Sequence, residues 1–539
     1  MSKIAIDFGT TNTLVAAWRE AANAPETLRL PGLSVPASQV ALIPSMLYVT
    51  GPESVRAGYG VAADGLDVAG DERFFSSFKR GIAARTRPLA RIIDDAEWDE
   101  PRAGEAFLEE VLAAALAHEG GTVEELVVTV PVHSFERYLK WLRDETNVAG
   151  EGGQPGVERI RIVDESTAAA LGYEVRTPGE RILVIDFGGG TLDVSLVNMP
   201  EEDESVIFEL GRLLPGQRHQ TSAVEARVVA KAGRVLGGDD IDHWLLEELL
   251  ARNDMDRSQV GDAYAQLKNA CEAAKIRLSE HESADVSVFD PDTYQTYRTT
   301  FTRTQLDDIL DRNDFFGMIQ KTVNKVLRTA RTRGIFPEDV GAVLLVGGTT
   351  LIPAVRRQIR MLFGNERVLE HKPFEAVAHG ALNLAAGMGL DDFLYHSYGI
   401  RHLSPITGRH EWEEIIPAGT RYPLEDSVKL ILTASRDGQE ALELVIGEVE
   451  ESAGGIAEVM FGDRAILMVD GSLELRHVEA MNDEDGSRTV AWLDPPGKAG
   501  EDRVEVEFQV DSNRSLRVTV NDLKTRKTLL YNVPVVELS

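Results

Sequence analysis

Two related segments constrain the fold of this chain more than any other feature. They read IDFGTTNTLVA (6–16) and IDFGGGTLDVS (185–195), and each places an aspartate, Asp7 or Asp186, at the end of an apolar strand before a turn rich in glycine and threonine. Glycine lets backbone N–H groups approach an anion, and paired carboxylates are suitable oxygen ligands for hydrated Mg²⁺. A single turn of this kind is more often structural. Together with a third glycine pair, in LLVGGTTLIP (344–353), the two turns predict a site that holds a polyphosphate from both sides.

The chain changes character along its length, which predicts two domains. A chain of 539 residues is too long for one core. Residues 1–388 alternate β-branched runs with helical runs, a pattern typical of an α/β fold. Residues 400–539 show short alternating strands and no long helix, which predicts an all-β domain. Residues 389–399 are predicted to be the interdomain linker.

Composition and charge exclude several classes of protein. The net charge of −32 disfavours a nucleic-acid binder and docking on anionic membranes. The single cysteine, Cys271, permits no intramolecular disulfide, and no secretory signal or membrane-spanning run is evident. We therefore expect a cytoplasmic protein with no nucleic-acid and no membrane partner. Two acidic or irregular stretches, 94–105 and 200–220, are predicted to be solvated surface insertions.

Six motifs in a fixed order carry a family resemblance. They are IDFGTTNT, VDESTAAALGYE (163–174), IDFGGGTLDVS, VLGGDDID (235–242), CEAAKIRLS (271–279) and VGGTTLIP (346–353). This series resembles the nucleotide-binding domain of the seventy-kilodalton heat-shock chaperone family. The resemblance implies a two-lobed, actin-like (RNase H-like) ATPase domain, followed by a β-sandwich.

The resemblance implies ATP or ADP with Mg²⁺ as cofactors, and K⁺ as a further candidate. By position, Asp7 and Asp186 are the Mg²⁺-water ligands, and Asp193 lies near the metal and monovalent cations. Lys79, in FFSSFKRGI (74–82), is placed beside the γ-phosphate, and Glu165 helps to position water and metal. Thr10 and Thr191 complete the catalytic set. The phosphate loops are formed by Gly9, Thr10, Thr11 and Asn12, and by Gly188, Gly189, Gly190 and Thr191.

The adenosine end is implied in the same way. Glu272, Lys275 and Ser279 share one helix face, which in the family hydrogen-bonds the adenosine. The opposite side is formed by Gly238, Gly347, Gly348 and Thr349. Without the resemblance, the favoured interpretations are a solvated stripe with an ion pair for the helix face and an exposed position for Lys79.

Two departures from the family pattern fall at the adenine. Leu351 stands where the family has an arginine that stacks on the base, and Phe374 stands where it has an acidic residue. These departures put the adenine affinity in question, whereas the phosphate residues match.

The second domain resembles the family's peptide-binding sandwich more weakly. The similar segments are EIIPAGTRYPLEDSVKLILTASRDGQ (414–439) and VEVEFQVDSNRSLRVTVND (504–522), with Arg514 where a turn glycine is usual. The family's helical lid is expected to be absent, and a purely structural sandwich without a cleft stays an alternative.

The resemblance implies an ATPase that acts as an ATP-dependent molecular chaperone. Hydrolysis of ATP to ADP and phosphate would control binding of unfolded or extended peptide segments, or of a dedicated protein client. The resemblance also implies two partner proteins for the ATPase cycle, a J-domain co-chaperone and a nucleotide exchange factor. The alternative is a nucleotide-gated adaptor or scaffold for one partner. A filament former or a small-molecule kinase is disfavoured by the β-domain and by the LGGDDID segment.

Overall fold

The structure, a computed structural model, forms two compact units. The first comprises Met1–Ser134 and Trp141–Leu390, and the second comprises Phe135–Lys140 and Asp391–Ser539. The residues described are 2–36, 38–52, 54–68, 72–83, 89–132, 138, 141–142, 157–173, 179–199, 225–257, 260–261, 263–290, 294–386, 389–394, 396–404, 409–424, 426–451, 457–461, 464–468, 476–482, 489–511 and 514–538.

The first unit is built on two mixed sheets. Its strands are β1 (Lys3–Phe8), β2 (Asn12–Arg19), β3 (Ala24–Thr27), β4 (Ile43–Pro44), β5 (Met46–Gly51), β6 (Ser54–Ala57), β7 (Phe74–Ser76), β8 (Arg91–Ile93), β9 (Ala96–Trp98), β10 (Val123–Val130), β11 (Val157–Asp164), β12 (Arg181–Phe187), β13 (Thr191–Asn198), β14 (Glu225–Val235), β15 (Ser283–Asp290), β16 (Gln295–Thr302), β17 (Ala342–Val346) and β18 (Val368–Leu369).

The sequence repeat is also a structural repeat. In the first sheet, β1 and β2 form an antiparallel hairpin, and β10 lies parallel to β1 with β11 outside it. In the second sheet, β12 and β13 form the equivalent hairpin, and β17 lies parallel to β12 with β18 outside it. Both aspartates therefore lie near the carboxyl end of the first strand of a hairpin, followed by its turn.

Ten helices of the described residues accompany these sheets. They are α1 (Tyr59–Ala63), α2 (Phe78–Ala83), α3 (Glu100–His118), α4 (Glu165–Gly172), α5 (Gly238–Arg252), α6 (Ala263–Glu280), α7 (Arg303–Arg312), α8 (Phe315–Thr332), α9 (Pro353–Phe363) and α10 (Ala376–Ala385). A turn of 3₁₀ helix, Gly348–Leu351, precedes α9. Among these described helices, none is long and apolar enough to cross a membrane.

Helices α4 and α10 pack with their backbones in direct contact. A Cβ atom added to Gly380 would lie 1.7 Å from the carbonyl oxygen of Ala168, and one added to Gly172 would lie 1.8 Å from that of Ala376. The amide of Asn383 also donates to the carbonyl of Leu171 at 2.6 Å. Only glycine at both positions permits this close approach. The contact fixes the position of α4, and therefore the position of Glu165, which is the first residue of that helix.

The second unit is β-rich, as predicted, and its described residues contain no long helix. Strand β19 (Gly389–Phe393) spans the boundary between the units at Leu390. The other strands of the second unit are β20 (Ser397–Leu403), β21 (His410–Ile416), β22 (Arg421–Tyr422), β23 (Val428–Thr433), β24 (Gln439–Leu444), β25 (Ile446–Glu451), β26 (Ala457–Phe461), β27 (Arg464–Met468), β28 (Arg476–Ala480), β29 (Thr489–Gly497), β30 (Asp502–Val510), β31 (Ser515–Asp522) and β32 (Thr528–Glu537). One sheet has the order β21-β20-β25-β28 and another the order β23-β30-β31-β32.

The core of the second unit follows the alternation seen in the sequence. The apolar members of the last hairpin are buried: Val504, Val506, Phe508, Val510, Leu516, Val518 and Val520. A buried ion pair lies beside them, because the guanidinium of Arg503 donates to Asp522 at 2.7 Å and neither side chain is exposed. Arg514 adopts a left-handed backbone with φ of 65°, the conformation for which glycine is usual.

Two sequence-based expectations about irregular segments differ from the structure. Residues 94–105 are not merely a surface insertion, because they include β9 and the first turn of α3. Trp98 is buried there, and the Asp99 carboxylate caps α3 by accepting from the backbone of Arg102 at 3.0 Å. Within the predicted linker, Leu394 belongs to the core of the second unit. The other predicted insertion, 200–220, lies outside the described residues.

Candidate functional site

A cavity of about 560 Å³ in the first unit collects nearly all the predicted site residues. Asp193 is the exception, since it does not line the cavity. The lining residues that the sequence had predicted are Asp7, Gly9, Thr10, Thr11, Asn12, Lys79, Glu165, Asp186, Gly188, Gly189, Gly190, Thr191, Gly238, Glu272, Lys275, Ser279, Gly347, Gly348 and Thr349. The structure thus brings together segments that are far apart in sequence, while the individual roles stay predictions.

The two glycine turns face each other directly. A Cβ atom on Gly189 would lie 2.1 Å from the Thr11 hydroxyl, and one on Gly190 would lie 2.5 Å from the Thr10 hydroxyl. Neither glycine can therefore carry a side chain while the turns stay this close. Ser45, which the sequence did not single out, holds the first turn by donating to the Gly9 carbonyl at 2.7 Å. The result is a two-sided cradle of small residues whose backbone can approach an anion.

A cluster of buried carboxylates lies at the ends of β1 and β12. Burial and the neighbouring charge of Glu165 raise the pKa of Asp7 to about 7, although Lys79 and the Thr129 hydroxyl act in the opposite direction. Burial, followed by the charges of Glu165 and Asp7, also raises the pKa of Asp186 well above its ordinary value. The negative charge of these three carboxyl groups therefore exceeds the positive charge that Lys79 supplies beside them.

That excess of negative charge suits a divalent cation. Within the described part of the chain, no three His, Cys, Asp or Glu side chains are arranged to hold a metal ion by themselves. Mg²⁺ in phosphate-transfer sites usually takes one or two carboxylates, several waters and the substrate's phosphates. The pair formed by Asp7 and Asp186 fits that requirement.

Lys79 is buried, so the alternative of an exposed lysine is wrong. Its ammonium lies 2.7 Å from the carboxylate of Glu165 and donates to the carbonyl of Phe8 at 2.5 Å. Lys79 comes from α2, whereas Glu165 opens α4 directly after β11. The pair thus joins a cation and a carboxylate on the floor of the cradle, next to the strand that ends in Asp7.

Asp193 takes a supporting position instead of a lining one. It is paired with Asp186 across the β12–β13 hairpin, and its carboxylate accepts from the backbone N–H of Val132 at 3.0 Å. Its charge contributes to the raised pKa of Asp186. Thr129 is a further residue that the sequence did not reveal, and its hydroxyl donates to Asp7 at 2.9 Å. The sequence feature that could have identified Thr129 is a polar residue near the end of the apolar strand β10, which lies parallel to β1.

The helix face of α6 contacts the glycine-rich start of α5. Lys275 donates to the Gly238 carbonyl at 3.0 Å and to Asp242 at 2.7 Å. Burial raises the pKa of Asp242 to about 7, even though Lys275 acts to lower it. The Thr349 hydroxyl donates to the Gly188 carbonyl at 2.8 Å. Lys275 is thus held between α5 and the cavity, and this lysine is not merely solvated.

The remaining lining of the cavity is more apolar than the cradle formed by the two glycine turns. Leu351 and Phe374 line it, and the Phe374 ring would lie 3.4 Å from a Cβ atom on Gly348. Several further lining residues were not foreseen, among them Ile276 on α6 and Arg356 on α9. The sequence signal for Ile276 was an isoleucine within the polar face that carries Glu272, Lys275 and Ser279.

Charged residues beside the cradle connect two distant parts of the unit. Arg80 of α2 reaches Asp240 at 3.1 Å and Asp239 at 3.5 Å, and both acidic residues lie in the first turn of α5. Lys268 of α6 also pairs with Asp239, at 2.9 Å. These contacts run past the second glycine turn, because a Cβ atom on Gly190 would lie 3.2 Å from Cγ of Arg80.

Comparisons with known proteins agree with this geometry. A family model described as Hsp70 protein matches residues 90–207 and 224–451. The chaperone protein DnaK of Thermotoga petrophila is 29% identical, over 97% of this chain and 79% of the relative. The DnaK of Thermotoga neapolitana is 28% identical over the same shares, and that of Thermosipho melanesiensis is 27% identical over 97% and 78%.

Proposed function

This chain belongs to the Hsp70 family, and from that premise we propose how its residues bind and hydrolyse ATP. The protein is an ATP-dependent chaperone with ATPase activity, and the adaptor alternative is not favoured by its similarity to DnaK proteins. The observation that carries the proposal is the cavity of about 560 Å³, which unites both glycine turns, Lys79 and the paired aspartates. We further propose that the first unit has the two-lobed, actin-like arrangement of the family.

The phosphates are proposed to lie between the turns at Gly9–Asn12 and Gly188–Thr191. Bound Mg²⁺, held by Asp7 and Asp186, would neutralise phosphate charge. Lys79 supplies a fixed positive charge for the γ-phosphate, and Glu165 orients the attacking water. Phosphoryl transfer to water depends mainly on such positioning and charge stabilisation, and no covalent intermediate with the chain is required.

The second unit is proposed to bind extended apolar peptide segments. A β-sandwich can bind such a segment through backbone hydrogen bonds and side-chain pockets. A J-domain co-chaperone and a nucleotide exchange factor are the proposed partners, K⁺ is a proposed additional ion near Asp193, and the proposed location is the cytoplasm. The single cysteine, Cys271, is buried and unpaired with another cysteine, which suits that location.

Replacement of Lys79 by alanine tests the catalytic proposal. We expect steady-state phosphate release to fall about 100-fold or more, because one fixed charge at the reacting phosphate is lost. Binding of ADP, measured by calorimetry, should persist. Lys321→Ala is the matched control, since that lysine is exposed and its ion-pair partner among the described residues is Asp314, also at the surface. Undiminished hydrolysis in the Lys79 variant would contradict the assigned role.

Lys79→Ala also breaks the buried Lys79–Glu165 ion pair, so a second variant is needed to separate the loss of catalysis from a loss of stability. Removal of one partner from a buried ion pair commonly costs about 3–5 kcal/mol. Lys79→Met combined with Glu165→Gln removes both charges and keeps similar volumes, so thermal unfolding shows whether the fold survives without the ion pair.

Stimulation of the wild-type ATPase by an unfolded apolar peptide and by a J-domain protein supports the chaperone. Indifference to peptides, with ATP-dependent capture of one protein, supports the adaptor.

A further inference from the structure

We propose that Arg356 is the base-contacting cation of the nucleotide site and determines its affinity for the purine ring. This inference rests on the proposed function of the cavity, since it assigns the part of the nucleotide beyond the phosphates. The family resemblance supplies a stacking arginine at the position of Leu351, which here is apolar. A guanidinium reaches the same cavity from Arg356, five residues later and one turn into α9.

The surroundings of Arg356 are suited to a flat aromatic ring. Phe374, Leu351 and Ile276 all line the cavity together with this arginine. Ile276 is 58% exposed although it belongs to a helix face that is otherwise polar. An apolar side chain left open on the wall of a ligand cavity loses contact with water only when a ligand covers it. A purine ring is the apolar part of the ATP molecule.

Arg356 is held in place, in contrast to a free surface arginine. Its Nε donates to the carbonyl of Thr350 at 3.1 Å, and its Nη1 lies 3.5 Å from the carboxylate of Glu370. Arg360 in turn binds Glu370 at 2.9 Å. Thr350 adjoins Thr349, whose hydroxyl contacts the second glycine turn, so the guanidinium is anchored to the segment that borders the cradle.

The anchoring leaves part of the guanidinium available. Its Nη2 has no hydrogen-bond partner among the residues that the structure describes, and the side chain is 27% exposed. A guanidinium is planar and weakly hydrated, and it stacks well on aromatic faces. A cation against an aromatic ring contributes about 0.5 to 2 kcal/mol, the larger value for desolvated sites, which corresponds to about twofold to thirtyfold in affinity.

The test compares Arg356→Ala with Arg357→Ala in the full chain. Arg357 is the next residue, but its guanidinium is exposed and pairs with Asp307 at 2.7 Å outside the cavity. Calorimetry with Mg²⁺ measures Kd for ADP, for UDP and for inorganic tripolyphosphate. We expect Arg356→Ala to weaken ADP binding by more than about twofold and by up to about thirtyfold, and UDP binding less, with tripolyphosphate unchanged. Arg357→Ala should leave all three within about twofold of the wild type.

A second variant keeps the inference open to refutation if Arg356→Ala is unstable. Leu351→Arg added to Arg356→Ala returns a guanidinium to the cavity and should restore most of the ADP affinity. Equal loss of ADP and tripolyphosphate binding, or no loss of ADP binding, would show that Arg356 has no contact with the base. A wild-type chain that binds neither probe would instead overturn the proposed nucleotide site itself, and this inference with it.

Discussion

Replacement of Gly380 by alanine tests whether the contact between α4 and α10 positions the site. The new Cβ atom would lie 1.7 Å from the carbonyl oxygen of Ala168 and 2.7 Å from the backbone nitrogen of Gly172. Both are backbone atoms, so no side-chain rotation relieves the clash, and the gap must open to about 3.0 Å or more. Overpacking of this kind typically costs about 1–3 kcal/mol, and we expect at least the upper value here.

The functional loss should exceed what the stability loss explains. Glu165 is the first residue of α4, and Phe374 lies just before α10, so a separation of the helices displaces residues at both ends of the cavity. A misplacement of about 1 Å can reduce a rate about 100-fold. We therefore expect ATP turnover to fall by that order in the protein that remains folded at low temperature.

Gly317→Ala is the matched control for this experiment. Gly317 is also helical, but its added Cβ atom would meet only the carboxylate of Asp314, an exposed side chain that can rotate away. That substitution should change stability by less than about 1 kcal/mol, because alanine favours the helix. Urea unfolding and phosphate release are measured for both variants. Equal stability and turnover of the two would refute the argument that α4 and α10 must touch.

Three further outcomes are expected. Burial, followed by the charge of Lys372, lowers the pKa of His379 to about 4 from an ordinary 6.5, so the unfolded chain binds more protons between these values. The free energy of unfolding should fall from pH 6.5 towards 4, by at most about 1.4 kcal/mol per unit, and His379→Gln should flatten that slope in urea titrations. Burial also raises the pKa of the Cys271 thiol to about 12, so iodoacetamide should modify it only after unfolding, as mass spectrometry would show. Arg503→Met leaves the buried carboxylate of Asp522 without its guanidinium and should destabilise the second unit by about 3–5 kcal/mol in chemical unfolding.

The sequence predicted the cradle of two facing glycine turns because its determinants are local. Asp7 and Asp186 sit at strand ends, and the glycines follow within the same hairpin turn, so a short window of sequence specifies both strand and turn. The alternation in β30 and β31 likewise predicted which side chains are buried. Such features depend on the spacing of apolar residues and on the residue types in the turns, and a single sequence shows both directly.

Other parts depend on contacts between distant segments, which one sequence does not display. Arg80 and Asp240 lie 160 residues apart, and Arg356 enters the cavity because Thr350 and Glu370 hold it. The acidic stretch around Trp98 suggested a loop, but burial of one aromatic ring outweighed its local polarity. Tertiary packing decides such cases, and local propensity is overridden.

The Arg80 contacts with the start of α5 have a kinetic consequence. They bind α2, which carries the lysine of the cradle, to α5, whose first residue donates a backbone hydrogen bond to the carbonyl of Gly188 in the second glycine turn. Partly exposed ion pairs weaken as ions screen them, because the Debye length falls from about 10 Å at 0.1 M to about 3 Å at 1 M salt. Separation of these segments therefore becomes easier as ionic strength rises. The residence time of a bound nucleotide is accordingly expected to shorten in concentrated salt, even where the phosphate contacts themselves are unchanged.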